Sequence, residues 1–235
     1  MTTAENLLFP AKPVPVVPVT DETRGYPVHR IFCVGRNYAD HAKEMGSEVD
    51  REAPWYFTKP AHAIVLSGAT IPYPPATSNF HYEMELVAAI GAPAFRISAA
   101  DALRTVYGYA VGLDMTRRDL QIAYREKQRP WDLGKAFESS APIAAITPAA
   151  KFPALGSQRI SLKVNGTVKQ DGKLSDMAWS VPELISHLSR FYHLGPGDLI
   201  YTGTPAGVGP VKPGDVLEGE IEGLAPLTLK IGAPE

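Results

Sequence analysis

The sequence predicts a β-rich α+β domain with short, scattered helices, and three observations lead there. The chain carries 22 prolines and 20 glycines in 235 residues, a density that suits short strands joined by turns and works against a helical bundle. Its apolar residues fall into brief runs bounded by turn-forming residues. The stretches with helical signals are few and dispersed, so they do not build the alternating strand–helix units of a parallel sheet.

In chain order, Pro10 to Val19 is too rich in proline for a helix and reads as an extended arm or edge strand. Residues 1–27 are accordingly expected to form an N-terminal arm and residues 28–235 the main domain. His29 to Val34 reads as the first buried strand, Asn37 to Met45 as a short helix, and Phe57 to Leu66 and Glu83 to Ile90 as strands. Ser98, with Asp101 three residues on, caps a helix, and Tyr107 to Leu113 returns as a strand. A helix is expected from Thr116 to Lys127, stopping before Arg129-Pro130. Asn165-Gly166 suits a type I′ hairpin turn within Ser161 to Lys169. Ser180-Val-Pro-Glu183 has the form of a capping box. The helix after it places Leu184, Ile185, Leu188 and Phe191 on one face and runs towards Gly195. Asp198 to Ile231 reads as several strands.

Charge and composition exclude several classes. The formal net charge is −2 and the pI about 6.3, so no global basic field suggests nucleic acid. The single cysteine, Cys33, allows no intrachain disulfide, fits a reducing compartment and reads as a packed core residue. No basic start followed by an apolar stretch suggests a signal peptide, and no apolar run approaches the ~20 residues of a membrane span. A cytoplasmic setting is expected.

The chemistry-bearing residues begin with three acids in apolar surroundings. Glu83 and Glu85 lie two apart in a strand-like segment and so point to one face. Asp114 ends the apolar run from Tyr109. Acids brought together inside a domain repel one another and lose hydration, and a divalent cation stabilises such a cluster. All-oxygen donors favour a hard ion such as Mg²⁺, Mn²⁺ or Ca²⁺ over zinc. The alternative is a surface strand whose acids pair with lysines.

His41 and Glu44, three apart on a helical turn, can touch, and a carboxylate against an imidazole fixes its tautomer and raises its basicity. An exposed i,i+3 pair without function is the alternative. Lys59 and Lys135 are single lysines in apolar stretches, and Arg117 and Arg118 follow Asp114. As a set they suit an anionic substrate; singly each could be a surface cation. Tyr201 to Pro210 is glycine-rich but lacks a phosphate-loop ending, so it reads as a turn. It can present Thr202, Thr204 or backbone N–H groups to a ligand, or be purely structural.

Taken together, these segments resemble the fumarylacetoacetate hydrolase superfamily. The matching pieces are Gly35 to Glu44, Phe57 to Pro60, His81 to Leu86, Gly108 to Gln121, Trp131 to Phe137 and Gly197 to Gly209, in the family's order. The resemblance implies a mixed β-roll with short peripheral helices and a homodimer. It implies Mg²⁺ or Mn²⁺ at Glu83, Glu85 and Asp114, with His41 and Glu44 activating water and Lys135 stabilising negative charge. Arg118, Gln121 and Thr204 match positions around substrate or solvent, and Lys59 is expected to join them in holding a small anionic oxo acid. The motif set looks most like the branch that hydrolyses fumarylpyruvate to fumarate and pyruvate in gentisate breakdown. Oxaloacetate decarboxylation, general acylpyruvate hydrolysis and oxo-acid isomerisation are the rivals on one scaffold, and a metal-stabilised binding protein is a rival without turnover.

Overall fold

The computed structural model describes residues 7–46 and 48–235. Residues 1–6 of the expected N-terminal arm lie outside them. The chain builds two main sheets from short strands. The larger is mixed and runs, edge to edge, Trp55–Lys59, Arg30–Gly35, Asp198–Tyr201, Met84–Ile90, Val106–Leu113, Ala141–Ile143 and Ile64–Leu66, with Thr147–Pro148 also pairing to Val106–Leu113. Its parallel pairs are Asp198–Tyr201 on Arg30–Gly35 and Ala141–Ile143 on Ile64–Leu66. The second sheet orders Thr167–Lys173, Arg159–Val164, Val216–Ile221, Leu227–Pro234 and Thr70–Tyr73. Thr116–Arg117, Phe80–Tyr82 and Gly209–Pro210 form a small third sheet beside the site. The expected β-rich α+β class is what the chain forms.

The large sheet is covered on both faces. In Met84–Ile90, Met84, Leu86, Ala88 and Ile90 enter one core, while Val87 and Ala89 enter the other. Phe32 and Val34 likewise divide from Ile31 and Cys33. Burial on both faces explains why these strands read as continuous apolar runs. The second core also takes Val17, Val19 and Tyr26, and Val16–Val17 pairs with Tyr26–Pro27. Part of the proline-rich segment therefore packs against the body of the fold.

Several local readings hold: the helix Ala39–Glu44, the Ser98 cap, the buried Cys33, the capping box at Ser180 and Glu183, and the hairpin turn with both Asn165 and Gly166 at positive φ. Others shift. Phe57 to Leu66 is two strands, because Pro60 ends the first and a 3₁₀ turn at Ala61–Ala63 separates them. The helix expected from Thr116 begins at Arg118, since Thr116–Arg117 pairs with Phe80–Tyr82. The helix Val181–Leu188 ends earlier than expected, and Phe191, assigned to its apolar face, is 64% exposed beside His187.

Candidate active site

Register brings the three acids together. Met84–Ile90 pairs antiparallel with Val106–Leu113 so that Glu85 faces Gly112 and Met84 faces Leu113. The next step along each strand places Glu83 beside Asp114, joined by the hydrogen bond from the Asp114 amide to the Glu83 carbonyl, 2.8 Å. One oxygen from each of Glu83, Glu85 and Asp114 lies within 4.8 Å of the others, and all three residues are buried.

Cations surround them unevenly. Lys135, on the short helix Asp132–Lys135, donates to Glu83 Oε2 at 2.9 Å, Asp114 Oδ2 at 2.6 Å and Thr116 Oγ1 at 2.7 Å. Arg118 grips Glu83 Oε1 through Nη2 and donates to Gln121 Oε1 at 2.6 Å. Glu83 is thereby held ionised: burial opposes its charge, but Lys135 and Arg118 outweigh burial and depress its pKa. The Lys135 ammonium is likewise kept charged, because Asp114 and Glu83 more than offset its own burial. Among the described residues, Glu85 receives only the Gly203 amide, 2.8 Å away. Burial first, then the neighbouring Asp114 and Glu83, push its pKa well up.

The chemistry of this donor set fits a divalent ion. Among the described residues, Asp114 Oδ1 is buried without a hydrogen bond although Lys59 Nζ lies 2.9 Å away, and Glu85 lacks a cation of its own. Lys135 therefore serves two of the three acids and leaves the third uncompensated. A hard cation among the three oxygens supplies what is missing.

Most of the remaining predicted residues meet at one cleft, lined among others by His41, Glu83, Glu85, Arg118, Gln121, Lys135 and Thr204. His41 Nδ1 lies 3.2 Å from Glu44 Oε2. With Nδ1–H given to Glu44, Nε2 carries the lone pair. Burial lowers the His41 pKa below its ordinary value of 6.5, against the pull of Glu83 and Glu44, so the ring is neutral at pH 7. Glu44 is fixed in turn by the Gly207 amide, 3.2 Å from both its oxygens.

The glycine-rich turn thus acts through its backbone. Gly203 has φ +97°, and a Cβ there would sit 2.7 Å from the Asn37 Cβ, so a side chain would disturb the amide that serves Glu85. Thr204 lines the cleft, whereas Thr202 Oγ1 donates to the Leu86 carbonyl at 2.9 Å and is not available to a ligand. Lys59 also differs from expectation. It lies behind Asp114 and donates to the Met115 carbonyl at 3.1 Å and to the Lys135 carbonyl, so it contacts the acid cluster and not the cleft.

Sequence reasoning passed over Gln170, which is fully buried. It accepts from the Met84 amide at 3.0 Å and donates to Thr204 Oγ1 and the Pro205 carbonyl, both at 2.8 Å. It ties the glycine-rich turn to the acid-bearing strand from a hairpin far along the chain, and nothing in its local sequence marks it. The cleft also holds Arg36, Arg125 and an aromatic wall of Trp55, Phe57 and Trp131.

Residues 30–231 match the family model for the fumarylacetoacetate (FAA) hydrolase C-terminal domain. The chain belongs to the fumarylacetoacetate hydrolase family. A fumarylpyruvate hydrolase from a Ralstonia species is 51% identical over 193 residues, which is 81% of this chain and all of that protein. The human mitochondrial oxaloacetate tautomerase is 45% identical over 87% of this chain and 92% of its own length. In structure, the fumarylpyruvate hydrolase from Pseudomonas aeruginosa, solved with Mn²⁺ and pyruvate, superposes with a TM-score of 0.93 at 47% identity. That match covers 97% of this chain and 100% of the other. The family's mixed β-roll is therefore the fold of this chain as well. Among the described residues, no helix is long and apolar enough to cross a membrane.

Proposed function

We propose that the protein hydrolyses an acylpyruvate, converting fumarylpyruvate to fumarate and pyruvate, with Mg²⁺ or Mn²⁺ held by Glu83, Glu85 and Asp114. The chain is a hydrolase acting on carbon–carbon bonds, the class of its fumarylpyruvate hydrolase relatives. The observation that carries the finer reading is the neutral His41, backed by Glu44, opening on the same cleft as the carboxylate triad. Decarboxylation of oxaloacetate needs no attacking water and would leave such a base idle, whereas tautomerisation moves a proton between carbon and oxygen and would employ it. Identity of 45% to the human oxaloacetate tautomerase and 42% to a Dictyostelium discoideum oxaloacetate decarboxylase supports that second reading.

When bound, the ion supplies a template and a Lewis acid for the 2-oxo-carboxylate end of the substrate. Arg118, Gln121 and Thr204 orient that end. His41 Nε2 takes a proton from a water aimed at the distal ketone, while Glu44 holds Nδ1–H and stabilises the imidazolium that forms. Lys135 Nζ stabilises the negative charge that develops as water adds and the carbon–carbon bond breaks. The aromatic wall shields the acyl chain from bulk water. A homodimeric enzyme in the cytoplasm, acting on a small anionic oxo acid, belongs to the same proposal.

His41→Ala tests the role of the base. Hydrolysis is expected to fall ~10²–10⁴-fold, the usual contribution of a general base, with Mn²⁺ affinity by calorimetry retained. Full activity in this variant removes His41 from the mechanism.

A further inference from the structure

Two arginines in the cleft have no assigned task. Arg36 and Arg125 both line it, both are half-buried, and neither guanidinium pairs with a carboxylate among the described residues. Glu83 and Asp114 are already matched by Lys59, Lys135 and Arg118, and the divalent ion answers Glu85. A divalent ion and two further arginines leave the cleft strongly cationic, more so than a monocarboxylate substrate requires. Arg36 is also held at φ +55°, a costly backbone state for a residue with a side chain.

Spacing gives the pair a meaning. Arg118, Gln121 and Arg125 stand at i, i+3 and i+7 on the helix Arg118–Glu126, so they share one face. Arg118 contacts Glu83, and Arg125 lies roughly 10 Å further along the helix at 1.5 Å per residue. The seven-carbon chain of fumarylpyruvate, extended, separates its two carboxyl carbons by about 7–8 Å at ordinary bond lengths. Side chains of this length close the difference.

The same cleft carries an aromatic wall. Trp55 meets Trp131 edge-on, with ring centroids 4.7 Å apart, and Phe57 lies 6.2 Å from Trp131. Gly35 lets the Trp55 ring lie against the backbone, since a Cβ there would fall 2.0 Å from the indole. The Arg36 guanidinium is 5.9 Å from the Trp55 ring centre. Such a slot suits a planar, conjugated acyl chain with an anionic tip.

We propose that Arg36 and Arg125 form a second carboxylate subsite that selects acylpyruvates whose acyl chain itself ends in a carboxylate. This rests on the acylpyruvate reading above and extends it to the substrate class. The paired planar forks suit a carboxylate, which they can take through two parallel hydrogen bonds.

The test compares fumarylpyruvate with acetylpyruvate, which lacks the terminal carboxylate, using Mn²⁺-loaded wild type, Arg36→Met and Arg125→Met. The ratio of kcat/KM for fumarylpyruvate over acetylpyruvate is expected to fall ~10–100-fold in each variant, the range for losing a charge-assisted hydrogen bond. A ratio that stays at the wild-type value overturns the subsite. Calorimetry on the same proteins adds a readout independent of turnover: fumarate against crotonate, in which a methyl replaces one carboxylate. Wild type is expected to bind fumarate at least about tenfold more tightly and both variants to lose that preference. Equal binding of the two acids by wild type overturns the proposal. Should wild type hydrolyse neither acylpyruvate, the hydrolase reading fails, while the fumarate preference still decides the subsite.

Discussion

Lys135→Met separates stability, metal affinity and catalysis: the first and last fall while the second rises. The Lys135 ammonium is buried and donates to Glu83 at 2.9 Å, to Asp114 at 2.6 Å and to Thr116 at 2.7 Å. Removing it strands two buried carboxylates, and breaking a buried ion pair from one side costs about 3–5 kcal/mol. At ~2–4 °C per kcal/mol for a chain of this size, the metal-free variant should melt roughly 6–20 °C lower. Metal affinity should move the other way. A unit charge about 4 Å from another contributes ~4 kcal/mol at an effective dielectric of 20. Even after relaxation and water entry, removing that repulsion should tighten Mn²⁺ at least about tenfold, or ~1.4 kcal/mol. Hydrolysis should fall ~10²–10³-fold, the usual loss on removing one stabiliser of a developing oxyanion. Thermal melts with and without Mn²⁺, calorimetric titration and pyruvate release read the three quantities. A variant that binds Mn²⁺ more weakly, or whose metal-free melting point is unchanged, refutes this account of Lys135.

Three further outcomes follow from the same geometry. Glu85 has a folded pKa raised above its unfolded value near 4.5, so the metal-free fold holds the extra proton and loses stability as pH rises above that value. The melting-point gain from Mn²⁺ should therefore grow from pH 5 to pH 8, and Glu85→Gln should flatten the trend; a gain independent of pH contradicts it. Burial depresses the His41 pKa, so the acid limb of kcat/KM should lie below the ordinary 6.5. Glu44 raises that pKa, so Glu44→Gln should move the limb lower still while slowing turnover; a limb moving upward contradicts the pairing. Gly203→Ala, at φ +97° and with its Cβ 2.7 Å from that of Asn37, should cost about 1–3 kcal/mol in a denaturant titration. It should also weaken Mn²⁺ by disturbing the amide that serves Glu85, and unchanged affinity would detach the turn from the metal site.

The acid pair Glu83 and Glu85 was legible because strand periodicity alone fixes a common face. Asp114 was legible as the end of an apolar run, but its place opposite Glu83 is a matter of register between two strands, which periodicity does not determine. The His41–Glu44 contact followed from helical spacing, and the structure forms it at 3.2 Å. Lys59 and Lys135 looked alike in sequence, each a lone lysine in an apolar stretch. Strand pairing puts Lys59 behind Asp114, whereas the short helix delivers Lys135 into the cleft, and only the tertiary fold separates them. Gln170 and the Arg36–Arg125 pair went unread for the same reason: their partners come from distant segments. The helix start at Arg118 was missed because Thr116–Arg117 finds a strand partner in Phe80–Tyr82, and tertiary pairing overrides local propensity.

The most direct test of the hydrolase reading is the product balance on fumarylpyruvate and oxaloacetate, measured in parallel with Mn²⁺, with Mg²⁺ and with a chelator. Metal-dependent release of pyruvate and fumarate in equal amounts, well above any turnover of oxaloacetate, is the expected result. Turnover of oxaloacetate alone, or fumarylpyruvate cleavage that survives the chelator, would contradict it.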